Sequence, residues 1–236
     1  MRDYLFDVAA TCPYGLKRRA VYRQAPCPPL SGEVLDNFLQ AGFRRNGNTM
    51  YTMACPDCRG CVPIRLRVAD FKPSRNQRRV WRRNRDVRVS QGPLQLSEEK
   101  LALCERFLAR RYPDQPGMFA PEEREGRAVD YYGGFFLNSI VETYEVAYRL
   151  EGQLLGLAVI DLSPTALNAV YFFFDPDKAD RSPGTLNILY LIELCRYLGL
   201  EFLYLGYWIE NVSAMNYKIR FKPHQLRIDD EWQTRP

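Results

Sequence analysis

The run from Thr143 to Arg220 constrains the fold more than any other part of the chain. Tyr144–Arg149 alternates as a strand, Glu151-Gly152 reads as a turn, and Leu154–Leu162 as a buried strand. Ser163-Pro164 turns the chain again, and Leu167–Phe174 makes a third strand. The period then changes: over Thr185–Leu198, Ile188, Leu189, Ile192 and Cys195 fall on the inward face of a helix. A strand at Phe202–Leu205 and a short helix near Ser213–Arg220 complete the run. A meander, a helix and one further strand predict an α+β layer, with helices on a mostly antiparallel sheet.

That order of elements is the order of a GNAT-like acyltransferase core, an analogy from which function does not follow. In such a core the loop at 175–185, between a strand and a helix N-terminus, is the place for a pyrophosphate. The usual acyl-CoA signature there is Gln/Arg-x-x-Gly-x-Gly/Ala. Arg181 and Gly184 match it, but Leu186 stands where a small residue would let phosphate approach the backbone. Acyl-CoA is disfavoured.

The N-terminal half carries the positive charge. Residues 55–88 hold eleven Lys and Arg against three Asp, a net of +8, while the whole chain is +5, so the remainder is −3. A local excess of this kind points to a polyanion. Val62, Ile64, Leu66 and Val68 alternate with Arg65 and Arg67 in a strand, and a helix follows from Ser74 to Asn84. Its arginines are better forks for phosphate oxygens than lysines, although charge runs are commonly no more than solvated faces. Cys55, Cys58 and Cys61 precede it, and with Cys12 or Cys27 they offer soft ligands to zinc or an iron–sulfur cluster. Without a second Cys-x-x-Cys pair, a cysteine-rich turn packed as small hydrophobes explains them too.

Residues 1–30 read as loop, with Lys17, Arg18, Arg19 and Arg23 again favouring an anionic partner. Ser31 caps a short helix carrying Leu35, Phe38 and Leu39, Gly42 ends it, and Phe43–Met53 reads as a hairpin turning at Asn46-Gly47. A helix begins at Ser97 with Leu101, Cys104, Leu108 and Tyr112 on one face. The polar stretch 113–126 is the expected junction between a smaller, cysteine-containing, basic N-terminal α+β region (1–112) and the acyltransferase-like domain (127–236). A composition 46% apolar and 26% charged is that of a globular protein. With no signal-peptide core and no apolar run of bilayer length, a cytoplasmic location without a membrane partner is expected.

Tyr204–Pro223 gathers aromatic residues with Lys218 and Arg220, a mixture suited to a nucleotide base or to an aromatic core edge. His224 is the only histidine, and nothing near it completes a nucleophilic triad.

Cys12-Pro13-Tyr14, CPDCRGCVPIRL at 55–66, FKPSRNQRRVWRRN at 71–84, VYFFFDPD at 170–177 and YLGYWI at 204–209 resemble bacterial members of the arginyl-tRNA–protein transferase family. The blocks cover almost the entire chain, and the short length resembles the leucine-transferring bacterial branch. The resemblance departs at Cys12, which stands alone where the eukaryotic branch has paired cysteines, at Pro183, and at Val212 and Ala214. It implies transfer of leucine from leucyl-tRNA to the N-terminal amine of proteins beginning with Asp or Glu, marking them for N-degron proteolysis. No cofactor is required for such a transfer. On this reading Arg75, Arg78, Arg79, Arg82 and Arg83 contact the tRNA backbone, and Arg65 or Arg67 pairs with the acceptor's acidic side chain. Asp161 holds the incoming ammonium unless it is an ordinary turn cap, and Tyr207, Trp208 and Lys218 line the aminoacyl-adenosine pocket. Arginine as the donor, an acyl-CoA-dependent N-acetyltransferase and a metal-stapled RNA-binding module are the alternatives.

Overall fold

The computed structural model describes residues 4–111 and 127–236. Tyr112 and the junction expected at 113–126 lie outside the described residues. The larger sheet has eight strands in the order β12-β11-β5-β10-β9-β8-β7-β6. They are β5 (Val62–Arg67), β6 (Val87–Pro93), β7 (Thr143–Leu150), β8 (Gln153–Leu162), β9 (Ala166–Phe174), β10 (Phe202–Trp208), β11 (His224–Ile228) and β12 (Glu231–Arg235). Every pairing is antiparallel except β9 with β10. The sheet therefore draws strands from both sides of residues 113–126.

Helix α5 (Pro183–Leu198) connects the parallel pair, as a crossover between parallel strands requires. Leu186, Ile188, Leu189, Leu191, Ile192 and Cys195 of α5 are buried with Ile64 and Leu66 of β5 and Leu203 and Leu205 of β10. Gly199 at φ +70° ends the helix, in the left-handed conformation that costs a glycine nothing. Helix α3 (Glu98–Arg111) and the turn of helix α4 (Arg127–Asp130) that runs on into a π-helix over Tyr131–Leu137 build a second core. Leu103, Phe107, Leu108, Tyr132 and Phe136 fill it, against Leu157, Val159 and Phe173 of the sheet.

Helix α2 (Arg75–Arg83) matches the expected basic helix. Ser74 Oγ accepts from Gln77 N and Gln77 Oε1 accepts from Ser74 N, a reciprocal cap worth about 1 kcal/mol. Trp81 of α2 is 40% exposed, while Val80 packs on the main core.

Residues 1–30 depart from the loop expected of their prolines and glycine. Strands β1 (Phe6–Thr11) and β2 (Arg19–Pro26) join β4 (Thr49–Met53) and β3 (Arg44–Asn46) in a four-stranded sheet, order β1-β2-β4-β3. β1 pairs on one side, with β2, and is exposed along its whole length, so no core buries its Phe6, Val8 and Ala10 face. Helix α1 (Gly32–Gln40) is capped by Ser31 as expected and buries Leu35, Phe38 and Leu39. The β3–β4 turn is Gly47-Asn48, one residue beyond the predicted position, because Asn46 still pairs with Thr49. Gly47 has φ +59°, and a Cβ there would meet the Gly134 carbonyl oxygen at 2.3 Å.

One ion pair joins the two sheets. Arg45 of β3 donates through Nε and Nη2 to the two carboxylate oxygens of Asp161 on β8, at 2.9 and 2.8 Å, with both side chains fully buried. Thr143 Oγ1 and Asn168 Nδ2 donate to the same carboxylate at 2.8 and 3.0 Å. Removing one partner leaves an uncompensated buried charge, which typically costs about 3–5 kcal/mol. Arg45→Ala and Asp161→Ala should each lower the urea midpoint accordingly. A loss below about 1 kcal/mol in either variant would show that the pair is solvated in solution.

Candidate active site

Strands β9 and β10 pair only over Phe202–Tyr204, against Ala166–Asn168. Beyond Tyr204 the register of β10 on β5 shifts, and β10 leaves β9 while both strands continue. The gap opens into a cavity of about 470 Å³. Its floor is β9 and β10, one wall is the start of α5 (Gly184, Thr185, Asn187), and α6 (Ser213–Asn216) with the 3₁₀ turn Tyr217–Arg220 forms another. Phe107 and Arg111 of α3, with Tyr14, Arg44 and Tyr51 of the small sheet region, close the remaining sides. A bulge with a glycine at the opening of two strands is the usual device for admitting another group between them. Here Gly206, at φ +81°, admits Arg44: a Cβ at 206 would lie 1.4 Å from Arg44 Nη1. Arg44 Nη2 donates to the carbonyls of Ala169 at 2.9 Å and Val170 at 3.3 Å.

The lining residues include Arg44, Arg111 and Lys218, and among the described residues that line the cavity there is no Asp or Glu. Lys218 Nζ donates to the Tyr207 carbonyl at 2.9 Å and sits 3.7 Å from Met215 Sδ. Burial, reinforced by the positive charges of Arg44 and Arg111, holds the Lys218 ammonium well below its ordinary value. Burial also raises the phenols of Tyr14, Tyr51 and Tyr207, and lifts Tyr217 to about 12, so all four stay protonated. The cavity thus offers cations, phenolic O–H donors and an amine pushed toward its neutral form.

Of the residues predicted from sequence, Tyr207 and Lys218 line this cavity. Trp208, the next residue along β10, points to the other side and faces a surface pocket with Asp57 and Cys58. Asp161 does not reach the cavity: it is 0% exposed, and Arg45, Thr143 and Asn168 occupy its oxygens. The ammonium-holding role expected for it gives way to that of joining the sheets. Arg65 donates to Gln225 Oε1 and Tyr204 OH and is stacked between Phe202 and Trp232, 3.9 and 4.3 Å from their ring centres. Arg67 is exposed and pairs with Glu201 at 3.3 Å. Neither arginine is at the cavity. Arg181 forms a bidentate pair with Asp86, both bonds at 2.9 Å.

Arg75, Arg78, Arg79, Arg82 and Arg83 are all exposed on α2. The end of α2 is tied to the loop before α5, through Arg83 Nη1 to Asp180 O at 2.6 Å and Asn84 Nδ2 to Arg181 O at 3.0 Å. The basic surface therefore ends beside the segment that leads into the cavity wall.

The thiols of Cys12, Cys55 and Cys58 lie near enough to Cys61 to raise it, and burial adds the larger effect, bringing it to about 12. Cys27 is elsewhere, packed with Leu30 against the α1 core. Among the described residues no three His, Cys, Asp or Glu side chains are arranged to hold one metal ion.

Sequence reasoning missed Tyr14, Arg44, Tyr51 and Arg111. Each reaches the cavity from an element remote in sequence, and only the Asn-Gly turn beside Arg44 hinted that its strand was fixed.

Residues 99–228 match the family model described as "Arginine-tRNA-protein transferase, C terminus", and residues 10–79 match its N-terminal counterpart. The aspartate/glutamate leucyltransferase of Pseudomonas fluorescens (strain Pf0-1) is 38% identical over 207 residues, covering 88% of this chain and 85% of that protein. The protein of the same name from Methylobacillus flagellatus is 37% identical over 204 residues, covering 86% and 79%. Among solved structures, L-PGS from Bacillus licheniformis aligns with a TM-score of 0.46 at 15% identity, over 77% of this chain and 52% of that one.

A lysine held below its unfolded pKa of 10.5 binds fewer protons folded than unfolded, between the two values. Stability then rises with pH through that window. The stability of the wild type relative to Lys218→Met should accordingly increase from pH 7 to pH 10 in urea titrations. Parallel curves for the two proteins would mean that Lys218 is an ordinary charged lysine.

Proposed function

The chain belongs to the arginine-tRNA-protein transferase family, and we propose that it moves leucine from leucyl-tRNA to the N-terminal amine of proteins beginning with Asp or Glu. The observation that carries this reading is the cationic cavity between β9 and β10, set at the end of the arginine face of α2. Arginine as donor is not favoured, because the relatives that match most of the chain are named for leucine. An acyl-CoA reading is not favoured either, since Leu186 is buried in the main core where the phosphate signature needs a small residue. The core is GNAT-like in its order: a meander β7-β8-β9, the helix α5, and β10 parallel to β9.

An aminoacyl-tRNA ester is already activated: attack by an α-amine breaks the ester C–O bond, forms the more stable amide and releases the tRNA's terminal hydroxyl, which takes a proton from the attacking nitrogen. The reaction needs two large substrates positioned, the ester carbonyl polarised and one proton accepted. The exposed arginines of α2 take the tRNA backbone, leading its charged end toward the α5 wall. Tyr207 and Tyr217 hold hydroxyls that stay protonated beside the cavity. Lys218, whose ammonium is disfavoured by burial, accepts the proton that the acceptor's ammonium must lose before its amine attacks. Its hydrogen bond to the Tyr207 carbonyl keeps one N–H engaged and aims the amine at the cavity. No step passes through a metal or cluster.

The test is a transfer assay with purified protein, leucyl- or arginyl-tRNA in separate reactions, and peptides starting with Asp, Glu or Lys. Leucine should appear on the Asp and Glu peptides alone. Label from arginyl-tRNA only would keep the family and change the donor, and label from neither would sink the reading. Lys218→Arg, which cannot lose its proton at these pH values, should lower kcat about 10²–10⁴-fold. A kcat within threefold of wild type would remove Lys218 from the proton path. Arg79→Gln with Arg82→Gln should weaken tRNA binding and flatten the slope of log affinity against log salt by about 2. An unchanged slope would place the tRNA on another face.

A further inference from the structure

Resting on the transferase reading, the structure also indicates which residues read the acceptor. We propose that Arg44, with the hydroxyls of Tyr14 and Tyr51, forms the pocket for the side-chain carboxylate of the acceptor's N-terminal Asp or Glu.

Arg44 and Tyr51 are cross-strand partners of the β3–β4 hairpin, which puts their side chains side by side on one face. That face looks into the gap between β9 and β10. Arg44 spends Nη2 on the two β9 carbonyls, while Nε is buried without an acceptor. Among the described residues, no carboxylate lies within ion-pair distance of Arg44, although its neighbour Arg45 is fully paired. A guanidinium kept half-satisfied at the floor of a cavity is expensive unless an anion completes it. The phenols of Tyr14 and Tyr51 lie within the field of Arg44, and each lines the same cavity. Both keep their protons, so both are donors. A fork of N–H groups flanked by O–H donors, with no acid among the described residues of the wall, is complementary to a carboxylate.

The two arginines that sequence favoured for this task are engaged elsewhere, Arg65 between aromatic rings and Arg67 with Glu201. A tRNA phosphodiester is the other anion at hand. It is flanked by sugars on both sides, whereas a carboxylate ends its chain and can be inserted between two strands. The phosphates already have the open arginine face of α2. A side-chain carboxylate held at Arg44 also distinguishes Asp and Glu from Asn and Gln, which leave the guanidinium without its counter-charge.

The experiment compares Arg44→Gln, Tyr51→Phe and wild type, using peptides that begin with Asp or Asn. Binding is measured by calorimetry without tRNA, and leucine transfer by initial rates. Wild type should prefer Asp in both. Arg44→Gln should raise KM for the Asp peptide about 100-fold, erase the preference over Asn and leave KM for leucyl-tRNA unchanged. Tyr51→Phe should weaken the Asp peptide about fivefold and the Asn peptide less. Arg44→Gln that still prefers Asp, or that raises KM for leucyl-tRNA alone, overturns the pocket. Should Arg44→Gln not fold, equal binding of the two peptides to wild type, or an unchanged Asp preference in Tyr51→Phe, overturns it. Wild type that binds the Asp peptide in preference, loses that preference with Tyr51→Phe, yet transfers no leucine would sink the reaction and support the pocket.

Discussion

The buried pair Arg45–Asp161 is the interaction on which the site depends. It is the point where the small sheet is fixed to the large one, and its geometry is restrictive: two parallel hydrogen bonds from a planar fork, with Thr143 and Asn168 completing the carboxylate. Buried pairs are weak arguments for stability, but the two-bond geometry of this one restricts how the small sheet can sit on the large one. Successive residues of a strand point to opposite sides. Fixing Arg45 onto Asp161 therefore also fixes where Arg44 can go. One residue of β3 holds the two sheets together, and its neighbour enters the cavity between β9 and β10.

The cavity itself follows from a defect in the main sheet. β10 pairs with β9 for only Phe202–Tyr204, and the bulge before Tyr207 lets it diverge. A fully paired β9–β10 would leave no room between the strands. Gly206 adds the second condition, since any side chain there would occupy the place of the Arg44 guanidinium. The positive φ of Gly206 further makes the bulge tolerable for glycine alone at low cost. The sheet is thus opened by one segment and filled in part by another.

Much of the architecture was legible in the sequence because its signals are local. The meander over 143–174, the helix at 183–198 and the basic helix at 75–83 follow from periodicity, caps and turns within a dozen residues. The strands β1, β2 and β6 were not read from the sequence: β1 is exposed along its whole length, and β6 offers only Val87 and Val89 to the core. The site was legible in part. Tyr207 and Lys218 belong to a compact aromatic segment, and both line the cavity. Asp161 was misjudged because an acid at a strand end reads alike whether it meets substrate or a buried arginine. Its partner lies 116 residues away, and no short-range pattern carries that distance. Arg44, Tyr14 and Tyr51 escaped for the same reason. Arg65 shows the converse: it alternates outward in sequence like a solvated charge, yet Phe202, Trp232 and the Tyr204 hydroxyl bury it beneath the C-terminal hairpin.

The charge pattern of the cavity makes one further point about how such a site can work. A carboxylate beside Arg44 would quench its field and would also stabilise the ammonium of Lys218. Among the described lining residues there is no acid, which leaves the field of Arg44 uncompensated there and keeps the Lys218 ammonium disfavoured. An enzyme that formed a covalent intermediate would need a nucleophile and its own base here, and His224 is buried against the Phe221 carbonyl, away from the lining. A reaction whose ester is already activated asks for less. It needs an amine that can take a proton, donors that stay protonated and cations that hold both substrates in place. On the reading proposed above, Lys218, the tyrosines and Arg44 fill these roles from different elements of the fold, and Arg44 reaches the cavity through the docking of the two sheets.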